Sequence, residues 1–361
     1  MDKYQENLKT RLEKREKDHL LRKLKIWPSD HIDFFSNDYL GLSKKFESQN
    51  LEASGSGGSR LLAGNHHIHH AFEKELSEFY NAEALLFNSG FDANLALFAS
   101  VPRKGDLILF DAQIHNSIRQ GIVLSQARAL KFKHNDFRDL ESKLEAAEEK
   151  NIFIAVESLY SMDGSILELK KLIGIATKYD AAILLDEAHS NGIFAIQGQG
   201  LASELKLESK IFARMLGFGK AFGQHGAAVL GSQLLKEYLL NFANSLIYST
   251  SLPPHQVRSL QTGLSQVKGA NEEREKLWEN VNYYRSQLKI KQNILTNKSP
   301  IQFIQVSGNQ KAKDLSQKMF QHKINIAPVL QPTVAKGFEG LRLCLHSFNS
   351  KKEIDLLLDL L

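Results

Sequence analysis

The sequence predicts an α/β protein: a large unit built on a mostly parallel sheet flanked by helices, then a smaller α+β unit. Three observations carry this reading. Short apolar runs alternate with segments of helical spacing and charge from about residue 71 to residue 230, the pattern of parallel strands joined by helical crossovers. After Pro253-Pro254 the pattern changes to a long polar helical stretch. The C-terminal part then returns to short strands and helices. A chain of 361 residues is long enough for one large domain and a smaller one. The reading places an N-terminal helix and arm at 1–38, a large domain at 39–254 and a small domain at 255–361.

Residues 2–25 read as a charged amphipathic helix, with Leu8, Leu12, His19 and Leu20 in partial helical register. Ile32-Asp33-Phe34-Phe35 reads as a short strand, and a Gly/Ser loop follows at Ser54 to Ser59. Strands are expected at 84–87, 107–110, 152–156, 181–185, 211–216 and 227–230, with helices at 71–80, 115–126, 136–149 and 168–178. The polar helical stretch covers about 255–292. Strands at 301–306, 323–328 and 341–345 and helices at 311–321 and 351–361 complete the small unit. There are no internal repeats and no low-complexity tract.

Composition excludes several classes. The net charge of +5 and pI near 9.0 are those of a solvated surface, with an anionic, phosphate-bearing ligand as the main other reading. A single cysteine, Cys344, rules out an internal disulfide framework and a Cys-based metal site, and fits a reducing cytoplasm. No apolar stretch approaches the length of a membrane span. Met1 to Lys25 carries nine Lys/Arg and five Asp/Glu. It has no apolar core, so it is not a secretory signal, and its acidic residues argue against a mitochondrial presequence.

The strongest functional signal is Lys220. It lies in Gly217-Phe218-Gly219-Lys220-Ala221-Phe222-Gly223 after an apolar run, where backbone can approach a ligand. Upstream, Asp186 closes the run Ala181-Ala182-Ile183-Leu184-Leu185, at the carboxyl end of a strand, where open α/β sheets bind ligands. An amine and a carboxylate in one pocket are the minimum for pyridoxal phosphate (PLP): the amine forms a Schiff base and the carboxylate keeps the pyridine nitrogen protonated. The pairing points to an enzyme.

Other motifs gain meaning beside that pair. Ser89-Gly90-Phe91 follows the strand 84–87 and opens a helix, a setting suited to phosphate. His115 follows the strand 107–110, where its ring can stack on a cofactor. Glu157-Ser158-Leu159-Tyr160-Ser161-Met162-Asp163-Gly164 brings hydroxyls to the same end of the sheet. Arg342 lies on an alternating strand and offers a bidentate partner for a substrate carboxylate. Gly55-Ser56-Gly57-Gly58-Ser59 does not match a dinucleotide fingerprint. His66-His67-Ile68-His69-His70 lacks the other ligand types of a metal site, and is read as a helix N-terminus with polar packing roles. Asp186-Glu187-Ala188-His189 also spells a DEAH-box helicase signature. That nucleic-acid-dependent ATPase is disfavoured, because no P-loop lies upstream and Gly219-Lys220 is followed by Ala221 rather than a hydroxyl residue.

Taken in order, the motifs resemble the α-oxoamine synthases, fold-type I PLP-dependent enzymes. The match runs from about residue 33 to the C-terminus. It comprises Ser36-Asn37-Asp38-Tyr39-Leu40-Gly41, Gly55-Ser56-Gly57-Gly58-Ser59-Arg60, Ser89-Gly90-Phe91, Ser161-Met162-Asp163-Gly164, Asp186-Glu187-Ala188-His189, Gly219-Lys220-Ala221-Phe222-Gly223, and Tyr248-Ser249-Thr250-Ser251-Leu252-Pro253-Pro254. The resemblance implies that Lys220 carries PLP and later removes a substrate proton. It implies that Asp186 meets the ring nitrogen, His115 stacks on the ring and His189 bonds near the phenolic oxygen. Ser89-Gly90-Phe91 then binds the phosphate, Ser161 lies at the cofactor, and Thr250 reaches the phosphate of a neighbouring subunit in a homodimer. Arg342 and Asn37 become substrate contacts. Gly58-Ser59-Arg60-Leu61, the run Tyr248 to Pro254 and Pro332-Thr333-Val334 favour the biotin-pathway branch, which condenses L-alanine with pimeloyl-CoA or pimeloyl carrier protein. The aminolevulinate, aminoketobutyrate and ketosphinganine branches and a PLP aminotransferase are the alternatives. A cytoplasmic enzyme with no nucleic-acid or membrane partner and no metal is implied.

Four positions depart from the family pattern. Gly217 stands where many relatives carry Ser or Thr, so one cofactor hydrogen bond is missing or replaced. Leu330-Gln331 replaces a frequent Arg-Pro, which bears on acyl-chain recognition. Gln199 replaces a frequent Arg, and the segment between Ser43 and Ser54 is short.

Overall fold

The structure, a computed structural model, describes residues 3–21, 25–45, 53–288, 294–295, 297–331 and 333–361. Pro332, residues 289–292 of the expected long helix, residues 2 and 22–24 of the expected N-terminal helix and most of the segment 43–54 lie outside the described residues. The chain divides into two compact units. One comprises Met1–Ser36, Met162–Gly164 and Lys276–Leu361, and the other Asn37–Ser161 and Ser165–Glu275.

In chain order, α1 (Lys3–Lys17) and β1 (Ile32–Asp33) come first, then α2 (His67–Tyr80), β2 (Glu83–Phe87) and α3 (Gly90–Ser100). They are followed by β3 (Leu107–Asp111), α4 (Asn116–Ser125), β4 (Arg128–Phe132), α5 (Phe137–Glu145), β5 (Ile152–Glu157), α6 (Leu169–Lys178) and β6 (Ala182–Asp186). Next are α7 (Leu201–Glu204), β7 (Ala213–Gly217), β8 (Ala227–Gly231), α8 (Gln233–Phe242), α9 (Asn244–Ile247), α10 (Pro254–Gly269) and α11 (Asn271–Gln287). The chain closes with β9 (Ile294–Leu295), β10 (Ile301–Gln305), α12 (Asn309–Gln321), β11 (Ile324–Asn325), β12 (Ala327–Val329), β13 (Gly340–Cys344) and α13 (Lys351–Leu360).

In the larger unit seven strands form one sheet in the order β2-β8-β7-β6-β5-β3-β4. The pairs from β7 through β4 are parallel, and β8 is antiparallel to both β7 and β2. The interior strands are near-continuous apolar runs because both faces are covered. Phe98, Ile118, Leu184 and Leu239 pack in a core with α3, α4 and α8, while Leu109, Leu140, Ile154 and Leu172 pack in another with α5 and α6. The helices α3 and α4 approach closely at Gly121, where a Cβ would come within 2.7 Å of Phe98 Cβ. The expected α/β class is therefore the fold observed.

Several expectations change. The edge strand β4 was not anticipated. The expected helical stretch over about 255–292 consists of two helices, α10 and α11, divided at Ala270. The N-terminal helix also ends at Lys17, short of residue 25.

In the smaller unit four strands run in the order β12-β13-β10-β9, all antiparallel. The expected strand 323–328 is split in two: β11 leaves this sheet to pair in parallel with β1, and β12 pairs with β13. Phe34, Tyr284, Ile304, Leu343 and Leu357 share its core. A capping box between Ser350 and Glu353 starts α13.

Candidate active site

The site in the larger unit forms at the carboxyl ends of β3, β5 and β6, beside the hairpin that joins β7 to β8. Asp186 is the last residue of β6 and is 5% exposed. Its Oδ1 accepts the Ala188 N–H at 2.8 Å, and its Oδ2 accepts from Asn94 Nδ2 at 2.8 Å. Two donors from different elements thus hold the carboxylate plane. Glu157 ends β5, directly in register with Asp186. It is buried, and its Oε1 accepts the His115 N–H at 2.5 Å.

His115 caps α4 at the end of the turn after β3. Its Nδ1 lies 2.7 Å from Ser117 Oγ. The residue is exposed, yet the groups packed around the ring strip away enough water to lower its pKa. Asp186 pulls that value up and the Lys220 ammonium pushes it further down. Burial drives the Glu157 carboxyl well above the usual range. Asp186 adds to this shift, while Lys220 and the His115 N–H oppose it. The fields of Lys220, His115, Asp186 and Glu157 therefore overlap in one cluster.

Lys220 is half-buried in the loop of the β7–β8 hairpin. That loop is closed by Phe218 N–H to Gly226 C=O at 3.0 Å, Gln224 N–H to Phe218 C=O at 2.9 Å and Gly223 N–H to Lys220 C=O at 2.8 Å. Gly223 has φ +62°, and a Cβ there would meet Ser43 N at 2.4 Å, so only glycine fits this turn. His189, 6% exposed, has its Nδ1 2.8 Å from the Tyr39 hydroxyl, which also donates to Asn37 Oδ1 at 3.2 Å.

Ser89 caps α3, its Oγ accepting the Asp92 N–H at 3.1 Å. The first-turn N–H groups of Gly90 and Phe91 are left without intrahelical partners, in the positive end of the helix dipole. Next to this turn, Asn88 Nδ2 donates to Thr250 C=O at 2.6 Å, and exposed Thr250 bridges Ser59. Ser161 is buried in the turn that follows β5. Arg342 belongs to the smaller unit, half-buried on β13 opposite Phe303 and Ala327.

Arg60 is committed elsewhere, to Glu73 at 2.8 Å and Asn65 at 3.0 Å. The histidine run at the start of α2 has packing partners: His69 Nε2 reaches Leu252 C=O at 2.9 Å and His66 Nε2 reaches Ser56 C=O at 3.1 Å. At Gly217 a Cβ would stand 3.1 Å from Ala188 Cβ, so a side chain there would press on the turn after Asp186. Gln199 gives its C=O to Arg214, whose guanidinium pairs with buried Glu187 at 2.6 Å. Among the described residues no three His, Cys, Asp or Glu side chains could hold a metal ion, and no helix is long and apolar enough to cross a membrane.

Sequence reasoning missed Asn94, Ser117 and Glu157 as members of this cluster. Only Glu157 carried a usable signal, a carboxylate closing an apolar strand at the same level as Asp186.

The donor set suits a planar, anionic pyridine. A buried, oriented carboxylate sits at a strand end, a helix N-terminus is open for phosphate, and an amine lies on a hairpin, its charge felt by His115 and Glu157. A family model for aminotransferase class I and II matches residues 29–361, and the chain belongs to that family. It is similar to 8-amino-7-oxononanoate synthase of Emericella nidulans, with 35% identity covering 98% of this chain and 94% of that protein. The solved 8-amino-7-oxononanoate synthase of Francisella tularensis has a TM-score of 0.81 and 32% identity, covering 92% of this chain and 97% of that one. A variant of serine palmitoyltransferase from S. paucimobilis with bound PLP has a TM-score of 0.88 and 25% identity, covering 100% and 97%. The fold is that of fold-type I PLP transferases, and this chain is a PLP-dependent acyl-transferring enzyme.

Proposed function

We propose that this enzyme condenses L-alanine with a pimeloyl thioester, on CoA or a carrier protein, and releases CO₂ to give 8-amino-7-oxononanoate for biotin synthesis. The observation that carries the reading is the run of relatives bearing that synthase's name at 31–36% identity over nine-tenths or more of this chain. Lys220 would carry PLP covalently, Asp186 would meet its pyridine nitrogen, and His115 would lie against the ring. His189, with Tyr39 behind it, would bond the phenolic oxygen. The Gly90 and Phe91 N–H groups with Ser89 would take the phosphate, and Ser161 would line the same pocket. PLP supplies an electron sink for the charge left at the amino-acid Cα.

The chain's own residues do the rest. Arg342 holds the alanine carboxylate through a bidentate pair, and Asn37 makes a further substrate contact. Lys220 would take the Cα proton as general base and would return a proton to that carbon after CO₂ leaves. His115, held neutral by the shift described above, can donate one hydrogen bond without adding charge. Thr250 reaches the phosphate site of a neighbouring subunit, so the working form is a homodimer.

The test pairs L-alanine, glycine and L-serine with pimeloyl-CoA, pimeloyl carrier protein and a long-chain acyl-CoA, scoring product mass, free thiol and CO₂. The reading expects thiol and CO₂ in equal amounts from alanine and a pimeloyl donor. Turnover confined to serine with the long chain would instead assign the ketosphinganine reaction. Rapid pyruvate formation from alanine and a 2-oxo acid without thiol release would assign an aminotransferase. Borohydride should fix the cofactor to the peptide containing Lys220, and label on another lysine would overturn its role.

A further inference from the structure

Asn94 sits in the second turn of α3 and is 1% exposed. Its Nδ2 donates twice, to Asp186 Oδ2 at 2.8 Å and to Ser117 Oγ at 3.0 Å. Ser117 is fully buried and lies 2.7 Å from His115 Nδ1. One continuous chain, His115–Ser117–Asn94–Asp186, therefore links the imidazole proposed to cover the cofactor ring with the carboxylate proposed to meet its nitrogen.

The amide has no freedom to turn. A carboxylate only accepts, so Nδ2 must face Asp186, and the Asn94 carbonyl is left on the other side. That oxygen, Oδ1, has no hydrogen-bond partner although it is buried. An orphaned buried oxygen carries a desolvation cost. A residue chosen only for packing would be apolar here, since its neighbours on α3 are Ala93, Ala96 and Leu97. The polar side chain is kept for what its amide does.

From this we infer that Asn94 is a positioning residue for the reaction. Through its two donated bonds it sets the orientation of Asp186 toward the pyridine nitrogen and ties that orientation to the seat of His115. Asp186 Oδ1 is held by the Ala188 N–H, so among the described residues Asn94 is the donor that fixes the rotation about that anchor. The inference rests on the PLP reading of this pocket.

The test uses the holoenzyme reconstituted with PLP carrying ¹⁵N in the ring, and reads the nitrogen chemical shift, which reports ring protonation without turnover. Wild type should show the protonated pyridinium position. In Asn94→Ala the bound cofactor should move measurably toward neutral pyridine, and exchange of the alanine α-proton should slow at least about tenfold with the KM for alanine little changed. In Asn94→Ser, which keeps a donor and guards against a folding failure in the alanine variant, the shift should fall between the two. A residue that only packs would lower thermal stability and leave the shift of the bound cofactor unchanged in both variants, and that result would overturn the inference. A neutral-pyridine shift in wild type would instead sink the role of Asp186, and the role of Asn94 with it.

Discussion

Glu157 and Asp186 stand side by side, in register on the parallel strands β5 and β6. Neighbouring strands lie about 4.8 Å apart, and both carboxyl groups are buried, at 2% and 5% exposure. Two like charges at that spacing cannot both be held cheaply. The division of labour follows from their partners. Asp186 receives two N–H donors, whereas burial and then Asp186 itself raise the Glu157 carboxyl well above the ordinary range.

The first prediction concerns this pair. In the unfolded chain a glutamate loses its proton near pH 4.3, while folded Glu157 keeps its proton to higher pH. Between those two values the native state binds more protons than the unfolded one, so stability falls as pH rises. Glu157→Gln mimics the neutral acid and keeps an acceptor for the His115 N–H. Urea denaturation at pH 5 and pH 8 should show wild type losing ground to Glu157→Gln at the higher pH. An equal gap at both would mean that Glu157 folds ionised.

Asp186→Asn should damage chemistry and packing together. The Ala188 N–H and Asn94 Nδ2 both point donors at this side chain, and an amide offers one oxygen where a carboxylate offers two. One donor is left unmatched, at about 1–3 kcal/mol. PLP should still bind through Lys220. Exchange of the alanine α-proton, followed by proton NMR in heavy water, should slow by roughly a hundredfold or more. Exchange at the wild-type rate would remove the electron-sink role.

Arg342→Ala tests the substrate carboxylate. Charge-assisted bonds of this kind contribute about 1.5–3 kcal/mol, so alanine affinity should weaken by roughly ten- to a hundred-fold. Spectral titration with L-alanine gives the number. Arg60, the arginine of the Gly58-Ser59-Arg60-Leu61 motif, is bound to Glu73 and Asn65 and cannot take over. Unchanged affinity would assign the carboxylate to another group.

His69 provides a pH test independent of catalysis. Burial, and then the Arg60 charge, lower its pKa, against the bonds to Leu252 and His66. The folded state therefore resists protonation. Stability is full above the ordinary imidazole value near 6.5 and is lost as pH falls through it. Gln can donate to Leu252 and accept from the His66 N–H, so His69→Gln should flatten the fall in thermal midpoint between pH 7 and pH 5. An unchanged slope would place the acid-sensitive group elsewhere.

The strands expected from apolar runs are all in the central sheet because that sheet is covered on both faces, and burial writes itself into consecutive residues. The strand β4 left no such mark. It is the edge strand, Arg128-Ala129-Leu130-Lys131-Phe132, with only Phe132 buried. The break between α10 and α11 falls at Ala270, after Gly269 and with no proline to mark it. Asp186 was legible because it ends a strand, and Lys220 because it stands in the glycine-rich loop just past one, where chemistry interrupts an apolar run. Asn94 was not, since its two partners come from other elements, Asp186 on β6 and Ser117 on α4, and only the packed sheet brings them to it.

The hairpin that carries Lys220 has both legs inside the seven-stranded sheet, with β6 on one side and β2 on the other. Local opening begins where few buried contacts and bonds hold the backbone, whereas this loop is closed by its bonds at Phe218, Gly223 and Gln224. Its backbone amides at Phe218 and Gln224 should be among the slowest in the molecule to exchange with deuterium. In the proposed reaction the amine of Lys220 would be the moving tip of a fixed post. Its travel between cofactor and substrate would be confined to four methylenes, and a turnover would leave the chain beneath it where it was.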